Sequence, residues 1–224
     1  MHGSRIDSGQ RVALFIDGAY LSLVIKTLGL GKLSFRKFAD TLLSGRISIA
    51  TNYYDCHVND DWSAEAQLRK QNFLERMEAS GFNLRLGRLY KENSRDGRVC
   101  YKQKMIDTWL TAEAVELAAK REIDRAIVVA GDVAFVPLVR TLQRLGVPVE
   151  LWAAAYSCSH LLRQIAICNE ISVDLLNSCG CELLPAERNT NFRRGKPPGP
   201  APAPAAATST ENSTTKQAAS STNK

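Results

Sequence analysis

Three aspartates of the 224-residue chain stand where acidic side chains could bind a divalent cation. Asp17 directly follows an apolar run over residues 12–16, and Asp132 lies just after a second apolar run over residues 126–130. Asp107 opens a segment of helical periodicity. Carboxylates held close together repel each other unless a cation or a proton lies between them. Because Mg²⁺ and Mn²⁺ prefer oxygen ligands, we predict that Asp17, Asp107 and Asp132 bind one of these ions.

Two lysines next to the acids indicate what such a cation could act on. Lys102 and Lys104 precede Asp107 and could hold a phosphate backbone while the cation activates water. That combination suits hydrolysis of a phosphodiester bond. Glu113 is a fourth acid, but six residues correspond to about 240° around a helix, so Glu113 and Asp107 cannot both point at one ion. We expect Glu113 to be a solvated helix acid or a group just outside the direct ligands.

The same residues also allow a structural role for the aspartates and disfavour several other kinds of active site. An aspartate just before a helix is often only an N-cap, and this role stays open for Asp132 and Asp107. Gly18 after Asp17 instead indicates a tight, solvent-facing turn at a functional edge. No glycine-rich phosphate loop follows the first strand, which disfavours dinucleotide and P-loop sites. His57 and His160 stand alone, which disfavours a histidine-driven ribonuclease or a serine or cysteine hydrolase.

The hydrophobic pattern predicts an α/β fold that would position these acids. Continuous or alternating apolar runs predict five strands, over residues 12–16, 47–54, 82–86, 126–130 and 149–153. Helical spacing predicts helices over residues 62–80, 107–121 and 134–146, and residues 160–168 and 173–176 complete the alternation. Right-handed crossovers then give a parallel sheet with helices on both faces. Ligands bind beyond the carboxyl ends of such strands, where the strand order reverses.

The net charge is unevenly distributed along the chain. The sequence has 29 Lys and Arg against 23 Asp and Glu, a formal charge of +6. Residues 189–224 contain five positive side chains and one negative one, 5 − 1 = +4, which leaves +2 for residues 1–188. The same segment holds five of the eight prolines and predicts a disordered Pro/Ala/Ser/Thr-rich tail. We therefore expect a flexible N-terminus over 1–10, one domain over 11–188 and a tail over 189–224.

The composition also restricts the class of protein. An apolar fraction of 45% with 23% charged residues excludes a wholly disordered or fibrous chain. No apolar run approaches the roughly 18 residues of a membrane span, and residues 1–10 lack the apolar segment of a secretory signal. The six cysteines are scattered, which favours reduced thiols over a disulfide framework. We expect a cytoplasmic protein.

Several motifs in a fixed order resemble those of a known family. They are ALFIDGAYL at 13–21, KMIDTWLTAEAVELA at 104–118, DRAIVVAGDVAFVPLVRTLQRLGVPVELWAA at 124–154 and SHLLRQIA at 159–166. Together they resemble a NYN domain of the LabA-like branch of the PIN-like nuclease superfamily, over roughly residues 10–180. The resemblance implies a PIN-like three-layer α/β/α sandwich and a metal-dependent ribonuclease that binds RNA. It also implies that Asp17, Asp107 and Asp132 bind Mg²⁺ or Mn²⁺.

The chain departs from the family pattern at four positions. Ala134 replaces the second acid of the GDxDF motif, Tyr20 replaces the usual asparagine of FIDGxN, and Met105 replaces a common glycine. Glu113 falls where many relatives have an aspartate. Losing a carboxylate lowers the charge of the site and weakens the binding of at least one ion. Two hypotheses follow: a one-metal ribonuclease, or a catalytically impaired NYN protein that binds RNA or regulates a partner.

Two further alternatives stay open. The same sheet could carry a hydrolase of nucleotides or other small phosphate esters. The other alternative is a homo-oligomer or a complex with a regulatory protein partner.

Overall fold

A seven-stranded sheet lies at the centre of the computed structural model, which describes residues 9–57, 62–93 and 99–184. The order of the strands across the sheet is β5-β4-β3-β1-β6-β7-β8. These strands are β1 (Arg11–Asp17), β3 (Ile47–Cys56), β4 (Asn83–Asn93), β5 (Val99–Lys104), β6 (Arg125–Val129), β7 (Val149–Ala153) and β8 (Ile167–Glu170). A separate antiparallel pair consists of β2 (Leu30–Gly31) and β9 (Glu182–Leu183).

Helices cover both faces of the sheet. They are α1 (Gly18–Thr27), α2 (Phe35–Leu43), α3 (Ala64–Ala79), α4 (Ile106–Ala119), α5 (Val136–Arg144), α6 (His160–Ile165) and α7 (Val173–Ser178), and a 3-10 turn spans Val133–Phe135. One core contains buried side chains of α1, α2, α3 and α7, and the other contains those of α4, α5 and α6. The structure is therefore the predicted three-layer α/β/α sandwich.

The central strand shows why its sequence is apolar throughout. Val12, Leu14 and Ile16 point into the first core, whereas Ala13 and Phe15 point into the second, and all five are fully buried. A strand covered on both faces has no solvent-facing positions and hence no alternation of polar residues. This burial also fixes the register of β1, because a slip by one residue would exchange the two sets of side chains.

The predicted parallel sheet is confirmed except at one edge. The pairs β1–β3, β1–β6, β3–β4, β6–β7 and β7–β8 are parallel. The prediction did not include β5, which pairs with β4 in the antiparallel direction and makes the sheet mixed. The prediction treated residues 160–168 as one segment, whereas the structure divides them between α6, which ends at Ile165, and β8, which begins at Ile167.

The expectation of a solvent-facing turn after Asp17 was wrong. Gly18 is buried and is the first residue of α1, a helix that the periodicity did not reveal. A Cβ atom at Gly18 would lie 2.5 Å from the Cζ and Oη atoms of Tyr53. The glycine is therefore required by the close approach of α1 to β3.

Some predictions fall outside the part of the chain that the structure describes. The tail over 189–224 lies outside the described residues, and so do residues 1–8 of the predicted N-terminal segment. Within the described ranges, none of the helices has the length and apolar character of a membrane-spanning segment.

Gly131, just beyond β6, provides a test of the packing around the centre of the sheet. A Cβ atom there would lie 2.2 Å from the carbonyl oxygen of Ser157 and 2.5 Å from Cε2 of Tyr20. Because a backbone atom cannot move aside freely, we expect Gly131→Ala to reduce the free energy of unfolding by about 1–3 kcal/mol. The urea midpoint of unfolding measures this change.

Gly31→Ala is the matched control for this substitution. Its added Cβ would meet the side chain of Leu184, with Cδ2 nearest at 2.8 Å, and that flexible side chain can rotate away. Equal urea midpoints for the two variants would contradict the account given for Gly131.

Candidate functional site

The predicted aspartates line one cavity at the carboxyl edge of the sheet. The parallel pair β1–β6 has Ile16 opposite Val129, so the residues that follow both strands emerge at the same edge. The strand order reverses here, with β3 and β4 on one side of β1 and β6 and β7 on the other. The cavity has a volume of about 400 Å³ and is lined by Asp17, Asp107 and Asp132, together with Gln103, Lys104, Met105, Ile106 and Thr108.

Asp17 is also the N-cap of α1. Its Oδ1 accepts a hydrogen bond from the backbone N–H of Tyr20 at 3.0 Å. Burial raises the pKa of Asp17 to about 6, and the negative charges of Asp107 and Asp55 act in the same direction. The backbone N–H groups of Tyr20 and Ala19 oppose this rise. Asp17 is therefore a partly desolvated acid with like-charged neighbours, an environment common at functional sites.

The other two aspartates differ in how the backbone holds them. Asp132 caps the 3-10 turn, and its Oδ1 accepts a hydrogen bond from the N–H of Ala134 at 2.8 Å. The N-cap alternative is therefore realised for Asp132. Asp107 lies inside the first turn of α4, so that alternative was wrong for Asp107. Partial burial raises the pKa of Asp107, and the charge of Asp132 adds to this effect.

Met105 sets the direction in which α4 leaves β5. It is the N-cap residue of α4 and has a left-handed backbone, with φ 80° and ψ −16°. Glycine adopts this conformation without the strain that a side chain introduces. The chain adopts this turn with methionine, at the position where the family pattern led us to expect glycine.

The donor set fits a hydrated divalent ion. Among the described residues, no three His, Cys, Asp or Glu side chains converge closely enough to form a ready-made metal site. Mg²⁺ does not require such a cage, since it usually keeps several waters and binds through one or two carboxylates plus substrate phosphate. Carboxylates on one cavity wall, two of them with raised pKa values, match that mode of binding.

The two predicted lysines occupy different positions. Lys104 is the last residue of β5 and lines the cavity with the three aspartates. Lys102 lies two residues earlier on β5 and forms an ion pair with Glu92 of β4, with Nζ 2.6 Å from Oε2.

Glu113 belongs to a polar cluster between α4 and the sheet. Its Oε2 accepts hydrogen bonds from the hydroxyl of Tyr54 at 2.6 Å and from Nδ2 of Asn52 at 3.1 Å. Its Oε1 accepts from Nε of Arg85. The expectation of a solvated helix acid was therefore wrong, because the side chain is mostly covered and pairs with groups of β3 and β4.

Asp55 and Lys70 form a buried ion pair that the sequence did not reveal. Asp55 lies near the end of β3, and its Oδ2 is 2.5 Å from Nζ of Lys70 on α3. The side chains are only 11% and 17% exposed, respectively. Asp55 follows Tyr54, the residue opposite Asp17 in the register. An acid after the apolar part of β3 was the available signal, since Asp17 follows the apolar part of β1 in the same way.

Tyr20 fastens α1 to the loop that follows β7. Its hydroxyl accepts a hydrogen bond from the N–H of Ala154 at 3.0 Å and lies 3.0 Å from Oγ of Ser157. Its ring fills the space above Gly131. The tyrosine that replaces the family's asparagine thus has a structural role beside the cavity.

The fold and the cavity together define a PIN-like α/β protein with an acidic site at the reversal of strand order. Its family follows from comparison with known proteins: the chain belongs to the NYN domain family, which it matches over residues 11–172. NYN domains are part of the PIN-like nuclease superfamily, whose members usually use divalent metals. No curated protein matches the chain at a significant level.

Two solved structures are similar to different degrees. A protein of unknown function, VPA0982 from Vibrio parahaemolyticus RIMD 2210633, is 21% identical with a TM-score of 0.58. The match covers 76% of this chain and 98% of that one, and it supports the fold alone. MurG from Acinetobacter baumannii is 9% identical with a TM-score of 0.37, covering 73% of this chain and 42% of that one. That likeness is too weak to support an inference.

The raised pKa of Asp17 predicts a stability effect in metal-free protein. A displacement from 3.8 to about 6 corresponds to about 3 kcal/mol of unfavourable interaction with the ionised form. Below about pH 4 Asp17 is protonated, so the fold does not bear this cost. The corresponding stability is lost as the pH rises through about 6, where the carboxyl of the folded protein ionises. Asn can still cap α1, so we expect Asp17→Asn to raise the melting temperature at pH 7.5 in EDTA and to have little effect near pH 4.

Asp124→Asn is the matched control with the opposite sign. The Arg11 guanidinium lowers the pKa of Asp124, so this carboxylate stabilises the fold above its unfolded pKa and loses that effect in acid. A melting temperature for Asp17→Asn at pH 7.5 that falls as far as that of Asp124→Asn would contradict the electrostatic account.

Proposed function

We propose that this NYN protein is a metal-dependent ribonuclease that hydrolyses RNA phosphodiester bonds. Asp17, Asp107 and Asp132 are the proposed ligands of Mg²⁺ or Mn²⁺. The observation that carries the proposal is the position of all three carboxylates on one cavity at the reversal of strand order. Membership of the NYN family supports RNA as the substrate class.

Each side chain has a distinct part in the proposed reaction. When bound, the divalent ion supplies a Lewis acid and a water of lowered pKa. Asp17 and Asp132 each commit Oδ1 to a backbone N–H, which fixes the orientation of both carboxylates before substrate arrives. Asp107 caps no helix, so its carboxylate is free to serve as a ligand or to accept a proton from water. Lys104, on the same cavity, is the proposed contact to the substrate phosphate.

We also propose that the protein belongs to the LabA-like branch of the family and is cytoplasmic. The motif at 13–21 and the GDxAF form at 131–135 support the LabA-like branch of the family. A cytoplasmic location is supported by the scattered cysteines, which favour reduced thiols over a disulfide framework. Glu113 acts outside the direct ligands, through its contacts with Tyr54 and Arg85.

A second candidate function is an RNA-binding or regulatory protein that has lost efficient cleavage. Two observations favour it. Ala134 offers Asp132 only a backbone N–H where relatives have a second acid. Tyr20 is occupied by Ala154 and Ser157. Both changes remove polar groups that could otherwise act in the cavity.

The leading proposal predicts RNA cleavage that depends on Asp17 and on metal. With Mn²⁺ or Mg²⁺ and a mixed set of single-stranded and structured RNAs, Asp17→Asn should lower kcat/KM at least about 100-fold, since a metal centre supplies several kcal/mol to the transition state. EDTA should abolish cleavage. Glu116→Gln, a surface acid of α4 paired with Lys120, should cleave like the wild type.

Two results would overturn this proposal: equal activity in the wild type and Asp17→Asn, or activity in neither. Turnover of a nucleotide monoester that RNA does not inhibit would instead assign the cavity to small phosphate esters. Calorimetric titration with Mn²⁺ distinguishes the two candidate functions, since the ribonuclease must bind the ion and Asp132→Asn must weaken that binding.

Ala134→Asp tests whether the cavity is degenerate. Residue 134 is exposed, and its backbone N–H can still donate to Oδ1 of Asp132, so we expect the variant to fold. If the native protein is a one-metal ribonuclease, we expect Ala134→Asp to cleave RNA at a rate like that of the wild type. A large gain in the single-turnover rate would favour the impaired protein as the native state.

A further inference from the structure

One face of the β4–β5 hairpin carries an unusual set of side chains. In the antiparallel register, Arg88 lies opposite Lys104 and Tyr90 lies opposite Lys102. Residues directly opposite each other on such a pair project from the same face of the sheet. We call Arg88, Tyr90, Lys102 and Lys104 the hairpin face.

Glu92 lies on the same side of the hairpin and pairs with Lys102, but fold stability does not explain the charges of Arg88 and Lys104. Like charges placed directly opposite each other destabilise an antiparallel pair. Arg88 and Lys104 are both exposed, and neither side chain forms an ion pair within the ranges that the structure describes. Two cations held side by side are a ready binding position for an anion such as a phosphate group.

Tyr90 adds an aromatic surface between the cations. Its side chain is 48% exposed, although a tyrosine on a strand usually packs against its neighbours. The two cross-strand pairs lie two residues apart, about 7 Å along the strands. A phosphate at Arg88 and Lys104 would therefore have a neighbouring base within reach of the Tyr90 ring.

Lys104 joins the hairpin face to the aspartate cavity. It is the last residue of β5, and it lines that cavity next to Asp107. A polyanion that follows the hairpin face toward Lys104 therefore arrives at the three carboxylates. An acidic protein would also bind the cations, but it would not account for the exposed Tyr90 ring or for the continuity of the face with the aspartate cavity.

We infer that the hairpin face binds single-stranded RNA and guides it into the aspartate cavity. Bases stack on aromatic side chains only when they are unpaired, whereas a duplex keeps its bases stacked on each other. The inference deepens the proposed function, on which the catalytic end of the path rests. Binding to the face itself does not require cleavage, so the two can be tested separately.

The experiment measures RNA binding without cleavage. Fluorescence anisotropy in EDTA, with full-length Asp17→Asn protein, compares a labelled single-stranded RNA with a duplex of the same sequence. Introducing Tyr90→Ala into this Asp17→Asn protein should raise the Kd for the single strand at least about fivefold, the effect of losing one base stack. The Kd for the duplex should stay unchanged. Tyr90→Phe keeps the ring and should restore the affinity.

Arg88→Gln tests the phosphate contact through salt dependence. The slope of log affinity against log salt concentration should fall by about 0.7, the value for one phosphate contact on a single strand. Lys120→Gln removes the same charge at the far end of α4 and is the matched control. All four substitutions are at exposed positions, and equal melting temperatures would exclude unfolding as the cause.

Each outcome has a defined consequence. Wild-type affinity in Tyr90→Ala and Arg88→Gln would overturn the inference even if the protein cleaves RNA. Weakened binding in these two variants, with no cleavage by the wild type, would uphold the inference and overturn the proposed nuclease. Equal losses in Lys120→Gln would show a non-specific charge effect and overturn it. Weaker binding to polyglutamate with unchanged RNA binding would assign the face to an acidic protein and also overturn it.

Discussion

The parallel pairing of β1 with β6 is the constraint on which the rest of the site depends. It brings two chain segments about 115 residues apart in sequence to the same edge of the sheet, where Asp17 ends β1 and Asp132 lies shortly after β6. Since β1 is buried on both faces, neither strand can shift to separate the acids. Gly18 and Gly131 then follow as necessities, because the helix after β1 and the loop after β7 must pass directly over these strand ends.

The fold compensates for this crowding of negative charge with backbone dipoles. Asp17 and Asp132 each receive an N–H from the turn that they begin, and Lys70 neutralises Asp55 on the neighbouring strand. Burial first, and then the remaining repulsion between the carboxylates, raises the pKa values of Asp17 and Asp107. An N-cap role and a ligand role are therefore compatible in one residue, because a carboxylate has two oxygens and the cap occupies one of them.

Burial determines how much of this structure could be predicted from the sequence. The strands β1 and β6 were predictable because a doubly covered strand leaves an uninterrupted apolar run, and β7 was predictable because its buried residues alternate with less buried ones. Helix α1 was not, since it follows β1 without a break and is itself largely apolar, and β5 was not, since the VCYKQK edge strand is polar. Asp17 and Asp132 were predictable from their place after apolar runs, and Asp107 from its place at the start of a helical pattern. The partners of Glu113 were not, because they lie 28 to 61 residues away and meet it only in the fold.

The contacts of Glu113 also determine the rotational setting of α4. A carboxylate can only accept hydrogen bonds, so the hydroxyl of Tyr54 must donate to it, and the amide of Asn52 must turn its nitrogen toward it. Three donors from two strands thus bind one carboxylate, and α4 cannot turn about its own axis without losing these hydrogen bonds. Asp107 lies about 9 Å earlier on the same rigid helix. The direction in which Asp107 faces the cavity is therefore fixed by the contacts of Glu113, almost two turns further along α4, and the groups that make these contacts do not line the cavity.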